Sequence, residues 1–147
     1  MFDFTAKVHG LQEVGEMLRG VATRMSNLSP ILKAIGDRAA EQTKRRIESG
    51  GPAPDGAPWA PPKRPDPRRR NTLRVTGQLR DSIRYQMIGD DTVAIGTNKI
   101  YAAIHQLGGQ AGRGHAATIP ARPYLGFSTA DIEEINKIIS EWVMSRR

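Results

Sequence analysis

The stretch Tyr85-Gln86-Met87-Ile88-Gly89-Asp90-Asp91-Thr92-Val93-Ala94-Ile95 decides the fold class. Tyr85 with Met87, then Val93 with Ile95, recur at every second position, as side chains on one face of a strand must. Gly89-Asp90-Asp91 between them is turn chemistry, because glycine reaches left-handed backbone angles and aspartate hydrogen-bonds its own turn. The stretch reads as an antiparallel hairpin, and most of what surrounds it reads as helix.

Upstream, Phe2, Phe4, Ala6 and Val8 alternate with polar residues, a further short strand that Gly10 ends. Leu11, Val14, Leu18, Val21, Ala22 and Met25 then fall at three- and four-residue steps and lay one apolar stripe along a helix. Ile31, Ile35, Ala39 and Ile47 carry a second helix. Ser29 is placed to cap it, Pro30 stands in the first turn where its missing N–H costs nothing, and Gly50-Gly51 stops it. Between residues 50 and 71 seven prolines lie among glycines and arginines. Proline blocks the hydrogen-bond ladders of both helix and sheet, so a long Pro-rich arm at about residues 50–72 is expected.

Downstream of the arm, Thr76 can cap a short helix running from Gln78 to Ser82. Tyr101, Ala102, Ile104, His105 and Leu107 suit another that ends at Gly108-Gly109, with a flexible small-residue connection through Ala117. Residues 119–127 should be extended. Ser128 with Asp131 three positions on is a capping-box pattern, and Ile132, Ile135, Ile139, Trp142 and Val143 follow as an amphipathic helix whose last arginines suit its negative end. The expected architecture is a single α+β domain over residues 1–147, a small antiparallel sheet packed with amphipathic helices and carrying the extended arm.

A chain of 147 residues is the size of one domain and should bury roughly two thirds of its unfolded surface. Hydrophobic residues are 38% of it and aromatics 5%, so the core must rest on aliphatic side chains, a thin supply that weakly favours burial against neighbouring subunits. Without cysteine it has no disulfide and no thiolate metal site. No stretch approaches the ~18 apolar residues that span a bilayer, and the N-terminus has no signal-peptide core, so neither export by that route nor membrane insertion is expected. Of the net charge of +7, the segment from Lys44 to Arg74 supplies +6, with nine bases against three acids. The imbalance is local, unlike the broad basic surface of a DNA-binding domain.

No constellation for catalysis, cofactor or metal stands out. His9, His105 and His115 share no metal-ligand spacing, and His105 beside Ile104 reads as a packed or capping residue. The glycines from Gly108 to Gly114 lack the Gly-Lys-Ser or Gly-Lys-Thr that a phosphate loop requires, and the pairs Asp90-Asp91 and Glu133-Glu134 read as solvated charge. Arg68-Arg69-Arg70 leaves three readings open: a solvated loop, a nucleic-acid contact, or a patch for an acidic protein surface. A module binding DNA through residues 44–74 is therefore the alternative to an assembly role.

Four marks stand in order along the chain: Pro54-Asp55-Gly56 with Trp59; Leu73 with Thr76-Gly77-Gln78-Leu79-Arg80-Asp81-Ser82-Ile83; Gly96-Thr97 leading to Tyr101-Ala102-Ala103-Ile104-His105-Gln106-Leu107-Gly108-Gly109; and Ile119-Pro120-Ala121-Arg122-Pro123-Tyr124-Leu125-Gly126. In these the sequence resembles the phage virion morphogenesis family of Mu G-like and P2 S-like tail completion proteins. It departs from the pattern at Pro61-Pro62 and the arginine run, where the family often has a polar stretch. The resemblance implies a structural protein of a phage or prophage virion, made in the bacterial cytoplasm, with no cofactor and no reaction. It implies a homo-oligomeric ring at the head-proximal tail end or in the neck, contacting other neck and tail proteins; such a collar requires head-to-tail contacts, and sixfold order and a non-specific contact with genomic DNA are further expectations. The expected assembly contacts are Trp59, Arg68, Arg69, Arg70, Arg122 and Tyr124, with Trp59 exposed on a mobile arm until assembly covers it. Arg122, held between two prolines, could instead brace an acid within the fold.

Overall fold

The computed structural model describes residues 4–5, 27–62, 73 and 77–145. The expected helix over residues 11–25 lies outside them. In chain order the elements are β1 (Phe4–Thr5), α1 (Ser29–Ser49), α2 (Gln78–Ser82), β2 (Arg84–Ile88), β3 (Thr92–Thr97), α3 (Ala102–Leu107), β4 (Gly109–Ala111), a 3-10 turn (Arg113–His115), β5 (Ala117–Ile119) and α4 (Thr129–Met144). The class is α+β.

The hairpin forms as its alternation requires, Tyr85 opposite Ile95 and Met87 opposite Val93, and β1 adds antiparallel to the far side of β3 with Phe4 opposite Thr97. The sheet order is thus β1-β3-β2. The 21-residue α1 lies across it and bridges two cores. Ile31 and Ile35 at its beginning meet Ile135 and Ile139 of α4, with Phe127, Ile132, Trp142 and Val143 packed around them. Ala40 and Ile47 further along join Ala53, Trp59, Leu73, Leu79, Ile83, Ala102, Tyr124 and Leu125 in the larger core. The apolar stripes on α1 and α4 are the reason both helices exist, since neither would persist in water without the face it buries. No helix of the described residues is long and apolar enough to cross a membrane.

Three local expectations are corrected. Ser29 is inside α1 and not its cap: Leu28 holds the cap position, and the Asn27 side chain accepts the Ser29 N–H at 3.0 Å, doing from two residues upstream what the serine hydroxyl was expected to do. Gly77, in a left-handed conformation, holds the position before α2, and the expected cap residue Thr76 lies outside the described residues. The connection after Gly109 is a paired ribbon, Gly109 opposite Ile119 and Ala111 opposite Ala117, because small residues permit backbone pairing as readily as looseness. Finally, residues 50–62 of the expected arm fold onto the body. Ala53 N–H donates to the Ala57 carbonyl and Gly56 N–H to the Ala53 carbonyl, so prolines placed between the bonded positions leave a tight turn intact. Arg68, Arg69 and Arg70 lie outside the described residues.

A glycine in the middle of α1 needs a reason, and Gly36 has one. A methyl group there would stand 2.6 Å from Cγ of Tyr85, so the helix can approach the sheet only where no side chain intervenes. Gly36→Ala would improve helix propensity yet should destabilise the chain by about 1–3 kcal/mol, the usual cost of overpacking, read as a lowered urea midpoint.

Candidate functional site

Residues 120–127 run between α1, α3 and the turn at residues 52–59 as a strap, with neither helix nor strand of its own. A strap of irregular backbone in a core must have its polar groups satisfied from elsewhere. Gln106 on α3 meets part of that demand: its Oε1 accepts from Tyr124 N–H and Leu125 N–H, both at 3.0 Å, and its Nε2 donates to the Leu125 carbonyl at 3.3 Å. Arg46 of α1 meets more, its Nη1 donating to the carbonyls of Tyr124 at 2.8 Å and Gly126 at 3.3 Å. Its Nη2 pairs with Asp131 Oδ2. That carboxylate also accepts the Ser128 N–H at 2.9 Å, completing the capping box that starts α4.

The expected contact residues are built into the same strap. The Trp59 ring is 9% exposed, and its Nε1 donates to the Pro123 carbonyl at 2.9 Å. This corrects the expectation of a ring left exposed until assembly: Trp59 anchors the turn to its own chain. Arg122 is buried and donates from Nε to Ala60 O at 2.9 Å and from Nη2 to Pro61 O at 3.3 Å, so of its two expected partners, an acid within the fold or a neighbouring subunit, it uses neither here and braces two carbonyls, while its own N–H donates to His105 O at 2.8 Å. Tyr124 is fully buried and its hydroxyl donates to Ala102 O at 2.8 Å. Two glycines make the approach possible. At Gly108, with φ of 72°, a Cβ would meet Ala121 N at 2.8 Å, and at Gly126, with φ of 138°, it would meet Pro54 Cγ at 2.8 Å.

The four sequence marks therefore converge in space. Pro54 and Trp59, the α3 segment and the strap meet directly, while Leu79 and Ile83 fill the core beneath and the Ser82 hydroxyl meets Thr97 Oγ1 at 2.6 Å. Pro123 supplies the carbonyl that Trp59 uses. Thr76 lies outside the described residues. Sequence reasoning missed Arg46, Gln106 and Gly36. For Arg46 a signal existed, because it continues the stripe of Ile35, Ala39, Gln42 and Thr43, and a charge on a buried stripe asks for a partner.

Burial sets the electrostatics. Loss of water around the phenol raises the Tyr124 pKa well above the usual tyrosine range, Tyr101 adding to the shift. Burial lowers the Arg122 pKa. Burial also depresses His105, helped by the nearby Arg122 charge, and its enclosed Nδ1 has no hydrogen-bond partner among the described residues, while its ring meets Tyr101 edge to face at 5.9 Å. Among the described residues no three His, Asp or Glu side chains are grouped to hold a metal ion.

The sequence model of the phage virion morphogenesis family matches residues 10–144. The chain is similar to the Mu-like prophage FluMu G protein 2 of Haemophilus influenzae, 31% identical over 137 residues, which cover 92% of this chain and 93% of that protein. It is similar as well to protein G of Escherichia phage Mu, named for capsid assembly, 44% identical over 64 residues, or 43% of this chain and 40% of that one. No solved structure matches.

Two outcomes follow from the strap. Trp59→Ala should cost the isolated chain about 3–5 kcal/mol in urea unfolding, as loss of a buried indole does, with no assembly required for the effect. His105 takes up its proton more readily unfolded than folded, so stability should be full above the ordinary histidine pKa and decline as pH falls below about 6.5 towards the depressed folded value. His105→Gln should flatten that part of the pH profile of the urea midpoint.

Proposed function

Because the chain belongs to the phage virion morphogenesis family, a family of phage assembly proteins, we propose that it acts in tail completion or head-tail joining, as one subunit of a ring at the head-proximal tail end or neck. The observation that carries this reading is the match along nearly the whole chain, both to the family and to a Mu-like prophage G protein. The geometry supports a structural task. Trp59, Gln106, Arg122 and Tyr124, the polar and aromatic residues that an active site would direct into a cleft, are consumed in hydrogen bonds to the chain's own backbone. What remains for partners is surface shape on a braced body. A ring follows from the need to close around an axis, which requires head-to-tail contacts between different faces of identical copies. Sixfold symmetry is the expected order, and the partners are other neck and tail proteins.

A phage or induced prophage lacking the gene should yield heads and tails that fail to join, and electron microscopy of complemented particles should place the labelled protein in a ring at the head-proximal end of the tail. Labelled protein found in the capsid shell alone, or in no particle, would overturn the reading.

A further inference from the structure

The ribbon over residues 109–119 stands apart from the economy of the rest of the chain. Nine of its eleven residues are exposed, and its three-residue strands pair with each other alone among the described residues. A two-stranded ribbon is marginal in water by itself, and each outer edge offers unpaired N–H and carbonyl groups. No proline or charge interrupts either strand, although protruding edges normally carry such guards. Next to it on α3, Leu107 is 68% exposed and Ile100, just ahead of the helix, 90%. Large aliphatic side chains that open to water beside an open backbone edge are what a partner covers.

The same chain holds a complementary edge. In the order β1-β3-β2, β2 is outermost among the described residues, and Ile88 at its end is 54% exposed. The turn that follows Ile88 bears the exposed carboxylates Asp90 and Asp91. The ribbon's charged end bears Arg113 and His115, and residues 109–119 contain no acid. The ribbon end and the turn end of β2 thus differ in sign, with the base Arg84 at the opposite end of β2, neither outer edge is paired among the described residues, and they are different surfaces of one chain. One arginine and one histidine are too few for the multiple phosphate contacts that hold a duplex, and DNA would leave Ile100 and Leu107 uncovered.

We propose that the ribbon of one copy docks along the β2 edge of a second copy, adding strands to its sheet and setting Arg113 against Asp90 and Asp91. The partner is another molecule of this chain, and the contact, being head to tail, is the subunit junction of the ring proposed above, on which this inference rests. Strand addition supplies affinity through backbone bonds, and the charged ends set the register.

The chain has no cysteine, which makes cross-linking clean. Full-length chains carrying Thr118→Cys are mixed with chains carrying Gln86→Cys or Met87→Cys, neighbouring positions on opposite faces of β2, and a short bifunctional maleimide is added to the concentrated mixture and to assembled particles. A cross-link between the two kinds of chain in either sample is the expected result. Arg113→Glu should weaken self-association roughly fivefold, and adding Asp90→Lys with Asp91→Lys should restore it. Oligomers that sediment normally, or rings seen in particles, without this cross-link would overturn the ribbon contact and leave the ring reading intact. Chains that stay single both in solution and in particles would overturn both. Cross-linking of the ribbon only to another protein would overturn the second-copy assignment.

Discussion

A guanidinium only 8% exposed must find acceptors for its N–H groups inside the protein, and Arg46 finds them in two elements distant in sequence: the carbonyls of Tyr124 and Gly126 in the strap, and the Asp131 carboxylate at the start of α4. The ion pair is largely shielded from water, Arg46 buried and the Asp131 side chain 13% exposed, so its attraction must offset a large loss of hydration. It does so because further hydrogen bonds meet the remaining groups, notably Ser128 N–H on the same carboxylate. Removing one partner would strand the other charge. The pair thereby fixes where α1, the strap and α4 lie with respect to each other, and the aliphatic contact of Ile31 and Ile35 with Ile135 and Ile139 follows from that placement.

That assignment changes how the basic segment is read. Among the nine bases between Lys44 and Arg74, Arg46 is spent inside the fold, and Arg45 lies against Glu41 one turn away, which raises its pKa and lowers that of the glutamate. Charge summed along a sequence treats each arginine as surface charge. Here at least one is a structural clamp, and a DNA footprint built on residues 44–74 is correspondingly thinner. An exposed pair such as Arg45 with Glu41 contributes little to stability, so the two neighbouring arginines differ greatly in consequence despite the same chemistry.

Regular periodicity was the legible part of this fold. The hairpin, the α1 and α4 stripes and the Ser128-Asp131 capping box are each specified by side chains within a few positions of one another, and the structure has them where the spacing put them. The strap was not legible, because its order comes from residues up to 80 positions away, as in the bond from Arg46 to the Gly126 carbonyl. Proline content misled for a related reason. It forbids ladders, but the turn at residues 52–57 needs only the N–H groups of Ala53, Gly56 and Ala57, none of them proline. Trp59 then followed the turn into the core. Composition reported that segment as an arm because composition carries no information on where a large ring finds its pocket.

The motif residues and the exposed residues divide the molecule in a way that bears on how such a subunit can evolve. Trp59, Gly108, Arg122, Tyr124 and Gly126 hold backbone to backbone, where nearly any replacement leaves a void, a clash or an unpaired donor. Constraint at those positions therefore speaks for the shape of the subunit and says nothing of which partner it meets. Among the described residues Ile88, Ile100 and Leu107 have no comparable internal task, being large apolar side chains more than half exposed. A braced interior lets such surface positions change with the partner at little cost to folding, since substitutions there are usually within ~0.5 kcal/mol of neutral. Ile88 and Ile100 lie outside the four family marks, while Leu107 stands in the third of them, so family likeness and an open apolar surface overlap there.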